Sequence, residues 1–219
     1  GNVSLYNETD GKAIYPTPIL GVVGLIEDAS KVLARSFRDS GDEIVLLGES
    51  FGELGGSQYL ATIAGAVMGE PPQLDLDRER ALIALLTRAA AEGLIRSAHD
   101  CSDGGVAVAL AECAFDTGGI GFEVDLPGIE VASAPAVSAV ATLFGESASR
   151  AIVSIAPAKR SQLMQLATSL GVPALAIGRT GGSRIRIAIA GEPAIDLSVA
   201  QAEQAWSTAL ERYLAGRAA

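Results

Sequence analysis

The sequence predicts an α/β fold in which helices pack on a mixed β-sheet, and three observations predict it. Glu43-Ile44-Val45-Leu46-Leu47 and Ala151-Ile152-Val153-Ser154-Ile155 are short apolar runs of the length and composition of buried strands. Leu82, Leu85, Leu86 and Ala89 recur instead at helical spacing. Arg184-Ile185-Arg186-Ile187 alternates strictly, as a strand with one wet face does. Such runs succeed one another along 219 residues, 49% of them hydrophobic, enough to bury a substantial core in one large domain or one domain with an appendage.

Taken in order, residues 1–26 hold two strand-like stretches joined by a turn at Gly11-Lys12 and are too short for a core of their own. A loop at Asp39-Ser40-Gly41 precedes the strand at Glu43 to Leu47 and places a domain boundary between 38 and 39. Ser57 to Met68 is apolar on one face and predicts a helix, broken by Gly69-Glu70-Pro71-Pro72. The next helix has Asp75 and Asp77 in an acidic first turn and stops at Gly93. Ile95 to Ala98 predicts a strand that leads through His99-Asp100-Cys101-Ser102-Asp103-Gly104-Gly105 into a helix over Val106 to Phe115. A strand at Ile120 to Val124 and a helix near Ala136 to Phe144 follow. After the strand at Ala151 to Ile155 come a helix over Ala158 to Leu170 and strands at Ala174 to Gly178 and Arg184 to Ile189, with Gly181-Gly182-Ser183 as the turn between them. A terminal helix runs from Val199 to Leu214, with Trp206 and Tyr213 as packing residues.

Charge and composition exclude some functions. A net charge of −10 and a pI near 4.6 leave no basic stripe to neutralise a nucleic-acid backbone, although backbone amides and a metal can still hold a small phosphorylated ligand. No apolar run reaches the roughly 18 to 20 residues of a membrane span, so the sequence reads as soluble and without a membrane. Cys101 and Cys113 match neither a disulfide framework nor zinc spacing, and free thiols in a reducing cytoplasm account for them.

The most chemically loaded segment is Gly1-Asn2-Val3-Ser4-Leu5-Tyr6-Asn7-Glu8-Thr9. As a short strand it points Asn2 and Ser4 the same way, while Gly1 gives close backbone access to a ligand. The Asn amide oxygen is a neutral hard ligand suited to Mg²⁺, and the Ser hydroxyl suits a phosphate or sugar oxygen. A turn-flanked edge strand with satisfied polar groups is the plainer reading of the same four residues. Asp103-Gly104-Gly105 reads two compatible ways: Asp103 caps the following helix, or that helix start offers amides to a phosphate. Gly145-Glu146-Ser147 is an ordinary helix-to-strand connection or a ligand loop through Glu146 and Ser147, with Arg150 as phosphate partner. His99, the single histidine, reads as a strand-end residue satisfied by loop carbonyls rather than as a general base.

The GNVSLYNET string and Pro16-Thr17-Pro18-Ile19-Leu20-Gly21-Val22-Val23-Gly24 closely resemble the second half of the phosphoribosylformylglycinamidine synthase family, the formylglycinamide ribonucleotide amidotransferases of purine biosynthesis. Further matches are Gly41 to Gly48, Gly55-Gly56-Ser57-Gln58-Tyr59-Leu60, the HDCSDGG run at 99–105 and Gly145 to Arg150. The family belongs with aminoimidazole ribonucleotide (AIR) synthase, and its bodies pair an N-terminal sheet domain with a C-terminal α/β domain. The resemblance implies that residues 1–38 end a second N-type domain and that 39–219 form the second C-type domain.

The same resemblance implies an ATP-dependent carbon–nitrogen ligase that phosphorylates the formylglycinamide amide oxygen and displaces phosphate with ammonia from glutamine. Mapped onto matching positions, it implies that Gly1 contacts ATP, Asn2 ligates magnesium and Ser4 contacts formylglycinamide ribonucleotide. It assigns no catalytic residue to this chain, because the family's catalytic histidine and acidic metal ligands lie in the first half. The implied partners are that N-terminal half, a glutaminase subunit and a small accessory subunit, and the chain alone is expected to be inactive. The alternatives are another ATP-dependent AIR synthase-like enzyme, which GNVSLYNET fits poorly, and a non-catalytic scaffold or interaction domain.

Overall fold

The computed structural model describes residues 8–13, 20–130 and 138–217, and the chain divides into two compact units, Gly1–Ser30 and Lys31–Ala219. In the first unit, β1 (Glu8–Thr9) and β2 (Lys12–Ala13) pair antiparallel around Asp10-Gly11. Both turn residues have positive φ, 52° and 73°, the conformation of a type I′ hairpin that Asp-Gly favours. The turn therefore lies one residue before Gly11-Lys12. Leu20, Val22, Val23 and Leu25 are exposed in this unit. The expected strand around Val3 to Leu5 lies outside the described residues.

The strands of the second unit are β3 (Glu43–Leu47), β4 (Ser97–Asp100), β5 (Phe122–Leu126), β6 (Ala151–Ile155), β7 (Ala174–Thr180), β8 (Arg184–Ile189) and β9 (Glu192–Ser198). Its helices are α1 (Gln58–Ile63), α2 (Leu76–Ala91), α3 (Gly105–Ala114), α4 (Ser138–Phe144), α5 (Arg160–Ser169), α6 (Val199–Ser207) and α7 (Ala209–Arg217). The seven strands form one sheet in the order β4-β6-β3-β7-β5-β8-β9. Its paired neighbours are antiparallel except β5 and β8, which makes the sheet mixed.

Every residue of β3 is buried, because helices cover this end of the sheet on both faces. Ile44 and Leu46 join an apolar cluster with Val106 and Leu110 of α3, while Val45 and Leu47 join a second cluster with Leu85 of α2 and Leu163 of α5. Each such side chain contributes about 1.5–3 kcal/mol when fully buried. At the other end only one face is covered: Ile185 and Ile187 are buried, while Arg184 and Arg186 reach Asp196 of β9. A one-residue slip of β8 would bury the arginines and expose the isoleucines, so the alternation fixes its register. No helix among the described residues is long and apolar enough to cross a membrane.

Departures from the expected boundaries have local causes. The helix expected to reach Met68 ends at Ile63, where Gly65 takes φ 65° just beyond the Ala64 C-cap. The strand expected at Ile95 starts at Ser97, and the one expected at Ile120 starts at Phe122, because Gly121 is bonded instead to Gly181 and Gly182. A 3-10 turn at Pro157–Lys159 precedes α5. β9 has no counterpart in the sequence reading. It returns from β8 through Ala190-Gly191, both with positive φ, and tolerates Pro193 because it is an edge strand. The terminal helix is divided at Thr208, whose hydroxyl bonds back to the Gln204 carbonyl at 2.7 Å. Trp206 packs against Phe115 with the two rings tilted by 41° and lies under Arg35, yet about half of it is exposed, and Tyr213 is exposed rather than packed in the core.

Candidate functional site

The two loops singled out in the sequence, at 99–105 and 145–150, are neighbours because β4 pairs with β6. His99 lies opposite Ile152 and Asp100 opposite Ala151, so the loop leaving β4 runs beside the loop entering β6. The Cys101 amide donates to the Arg150 carbonyl at 3.0 Å and joins them. Gly104 and Gly105 have φ of 79° and 65°. A Cβ on Gly105 would lie 2.5 Å from the Gly145 carbonyl oxygen, so the close approach of the two loops also requires a glycine.

Asp103 does not cap α3. The N-cap is Gly104, which has no side-chain cap of its own, and its amide donates 2.8 Å to Oε1 of Glu146 in the neighbouring loop. The same Oε1 accepts from the amide of Gln58, the first residue of α1, at 2.9 Å. With Gly104 and Gly105 in the left-handed region, the α3 entrance faces the Gly145–Arg150 loop, and a carboxylate 42 residues away takes the place of the local one. One ionised oxygen thus serves two helix N-termini, where a negative charge is favoured.

The rest of the second loop is equally committed. Ser147 is 0% exposed, and its hydroxyl accepts from the Phe51 amide at 3.0 Å, which removes it from any ligand surface. Arg150, 3% exposed, donates to the carbonyls of Ser147 (2.8 Å) and Gly145 (2.7 Å) and to the Ser50 hydroxyl (2.8 Å). Burial lowers its pKa. Its guanidinium is a clasp around its own loop, as in an ordinary helix-to-strand connection.

His99 departs from expectation as well. Its ring nitrogens meet two carboxylates rather than loop carbonyls: Nε2 lies 2.8 Å from Glu112 Oε2 and Nδ1 3.2 Å from Asp100 Oδ1. Glu112 escaped the sequence reading, though a lone acid in the apolar run Gly105–Ala114 was a signal for it. Cys101 and Cys113 are buried free thiols. Burial pushes the Cys101 thiol up to about 12 and Cys113 still higher, so neither supplies a thiolate nucleophile.

In front of these loops is a cavity of about 590 Å³ with Leu82, Ile83 and Leu86 on one wall and Asp100, Asp103 and Glu146 on the other. Its Ser149 hydroxyl bonds Glu79 at 2.6 Å, a second acid that the sequence reading missed. The polar wall therefore offers acceptors and negative charge, and its one arginine is bound elsewhere. Among the described residues no group of three or more His, Cys, Asp or Glu could hold a metal ion. Gly1, Asn2 and Ser4 lie outside the described residues.

A family model described as AIR synthase related protein, C-terminal domain, matches residues 39–189. The chain belongs to this family. The AIR synthase-related relatives include the phosphoribosylformylglycinamidine synthase subunit PurL of Moorella thermoacetica, 45% identical over 215 residues that cover 98% of this chain and 28% of the relative. PurL of an Anaeromyxobacter species is 43% identical over 208 residues, 94% of this chain and 27% of the relative. The chain thus spans little more than a quarter of the length of these relatives. Among solved structures, Thermotoga maritima PurL complexed with FGAR superposes with a TM-score of 0.67 at 22% identity, covering 80% of this chain and 30% of that one. The T. maritima PurL complex with ATP gives 0.63 at 20% identity, covering 80% and 28%. These likenesses establish the mixed-sheet AIR synthase-like fold of the C-terminal domain.

Proposed function

We propose that this chain is the C-terminal part of an ATP-dependent ligase that converts formylglycinamide ribonucleotide, ATP and glutamine-derived ammonia to formylglycinamidine ribonucleotide, ADP and phosphate. The observation that carries the proposal is identity of 40–45% across 94–98% of the chain to relatives that are all PurL subunits. T. maritima PurL has been solved with ATP and with FGAR, in keeping with those two substrates. In the reaction the γ-phosphoryl group of ATP goes to the amide oxygen. Ammonia adds at the same carbon, and phosphate leaves with that oxygen.

Within this chain, residues 1–38 end the second N-type domain and 39–219 form the second C-type domain. Gly1 contacts ATP, Ser4 contacts the ribonucleotide and Asn2 gives Mg²⁺ one neutral oxygen. The described residues add no acidic metal cluster to Asn2, so the remaining ligands belong to substrate phosphates and to the rest of the longer protein. A bound Mg²⁺ would offset charge on the phosphates, and the chain's own residues position. The committed hydrogen bonds of Glu146, Ser147 and Arg150 favour a scaffolding part for the loops at 99–105 and 145–150. The family's glutaminase and small accessory subunit are the partners proposed for it, and the cytoplasm is its place.

The test is Mg-ATP-dependent amidine formation by the longer protein that contains this chain. Asn2→Ala should lower kcat/KM strongly, and His99→Ala should leave it near the parent value. Undiminished activity of the Asn2 variant would reject the metal contact, and a loss of turnover confined to catalysis in the His99 variant would reject the scaffold reading.

A further inference from the structure

The dipeptide Asp-Gly occurs twice in the sequence, at Asp10-Gly11 and at Asp103-Gly104, and Asn-Gly does not occur. The two steps share their chemistry and differ in their surroundings. An aspartate followed by glycine can cyclise, because no side chain shields the next backbone nitrogen from the carboxyl carbon. Ring closure further needs an amide that is not donated to an acceptor, a carboxyl group without a partner and a backbone free to bend.

Asp103-Gly104 fails on the amide and on the backbone. The Gly104 amide donates to Glu146 Oε1 at 2.8 Å, Gly104 is buried at the N-cap of α3, and a Cβ there would lie 2.4 Å from Val108 Cγ2. Asp10-Gly11 meets every condition. Both residues are exposed, and nothing stands within 4 Å of the place of a Cβ on Gly11. The pairing of Thr9 with Lys12 leaves Asp10 and Gly11 as the turn. Among the described residues neither the Asp10 carboxylate nor the Gly11 amide has a hydrogen-bond partner. Strands of two residues each close this turn, and so short a hairpin opens readily.

We propose that Asp10-Gly11 is a site of spontaneous covalent modification, the isomerisation of aspartate to isoaspartate, and that the fold protects Asp103-Gly104 from the same reaction. The Gly11 nitrogen attacks the side-chain carboxyl carbon of Asp10. A C–N bond forms, the amide proton and a carboxyl hydroxyl leave as water, and a five-membered succinimide results. Water then adds at the main-chain carbonyl and breaks the original peptide C–N bond, so the chain runs on through the former side chain. One water is lost and one regained, and nothing is oxidised or reduced. The product adds a methylene to a two-residue turn, which disrupts the pairing of Thr9 with Lys12. It also exposes an α-carboxylate, the group that isoaspartyl methyltransferases esterify with S-adenosylmethionine, so position 10 becomes a methyl acceptor. The inference does not depend on the reaction proposed above.

The longer protein that contains this chain tests it, aged at neutral pH in water enriched in ¹⁸O, both folded and in urea. Peptide mapping locates isoaspartate, and methyl transfer from tritiated S-adenosylmethionine by a purified isoaspartyl methyltransferase measures it. In the folded protein, isoaspartate carrying one solvent oxygen should accumulate at position 10 several-fold faster than at 103, whereas in urea the two positions should react at similar rates. Asp10→Glu should remove most of the methyl acceptance, because ring closure would then require a six-membered imide. Equal rates at 10 and 103 in the folded protein, or a rate at 10 that rises in urea as steeply as the rate at 103, would overturn the inference. So would isoaspartate at 10 without solvent oxygen, or undiminished methyl acceptance in the Asp10→Glu variant.

Discussion

The loop pair at 99–105 and 145–150 and the excursion between β3 and α2, residues 55–74, both contain glycines, and they end in opposite states. In the loop pair the chain's own charged groups reach the places a ligand would use: Glu146 holds the amides of Gly104 and Gln58, and Arg150 holds two carbonyls and a hydroxyl. In the excursion the backbone is just as closely bonded, but the side chains Ile63, Val67 and Met68 face outward without the burial that apolar groups favour. Glycine in a motif therefore reports close backbone approach in both regions and distinguishes neither. What distinguishes them is whether the surrounding polar and apolar groups are satisfied within the chain.

Substitutions should separate the two regions by size of effect. The largest belongs to Gly105→Ala, which pushes a Cβ into the Gly145 carbonyl at a positive-φ position. Urea unfolding should show a loss of about 3 kcal/mol or more, since strain and displaced backbone act together. An effect below about 1 kcal/mol would mean that the loops are not in contact. Glu146→Gln keeps the shape but weakens two charge-assisted bonds, and should cost about 1–2 kcal/mol in the same experiment.

Smaller effects follow on the surface. Val67→Gln on the excursion should change the unfolding free energy of this chain by no more than about 0.5 kcal/mol, because the side chain already faces water. A larger loss would mean that Val67 is packed within the chain, and the contrast between the regions would fail. At the end of the excursion, Asp75 caps α2 by accepting from the amides of Asp77 and Arg78, and these bonds lower its pKa below the usual 3.8. A depressed acid contributes stability above its unfolded pKa and loses it as pH falls through the folded value. The difference in melting temperature between the parent and Asp75→Asn should accordingly be present at neutral pH, begin to fall near pH 3.8 and be lost as pH drops through the lower folded value. A difference that persists unchanged to pH 2.5 would assign the cap to something other than the carboxylate charge.

Much of the fold was legible because its signals are local. β6 and β8 begin and end where apolar run and strict alternation do, and α2 starts on an acid-rich turn that the structure shows to be a true cap. β9 was not legible: Pro193 and the polar residues of an edge strand erase both strand signals, and only the Ala190-Gly191 turn betrays it. The cap of α3 was misjudged for a different reason. Asp103 stands at the proper spacing for a cap, but the partner that wins, Glu146, is distant in sequence and is brought near only by the pairing of β4 with β6. Local rules rank local partners, and tertiary structure chose another.

The central claim is that Glu146, not a ligand, occupies the helix starts at Gly104 and Gln58. Amide resonances of ¹⁵N-labelled protein measured during titration with phosphate and then Mg-ATP test it most directly, with Glu146→Gln as comparison. The account predicts that the Gly104 and Gln58 signals stay in place through both titrations and move on substitution of Glu146. A saturable shift of Gly104 with phosphate in the parent protein would contradict it.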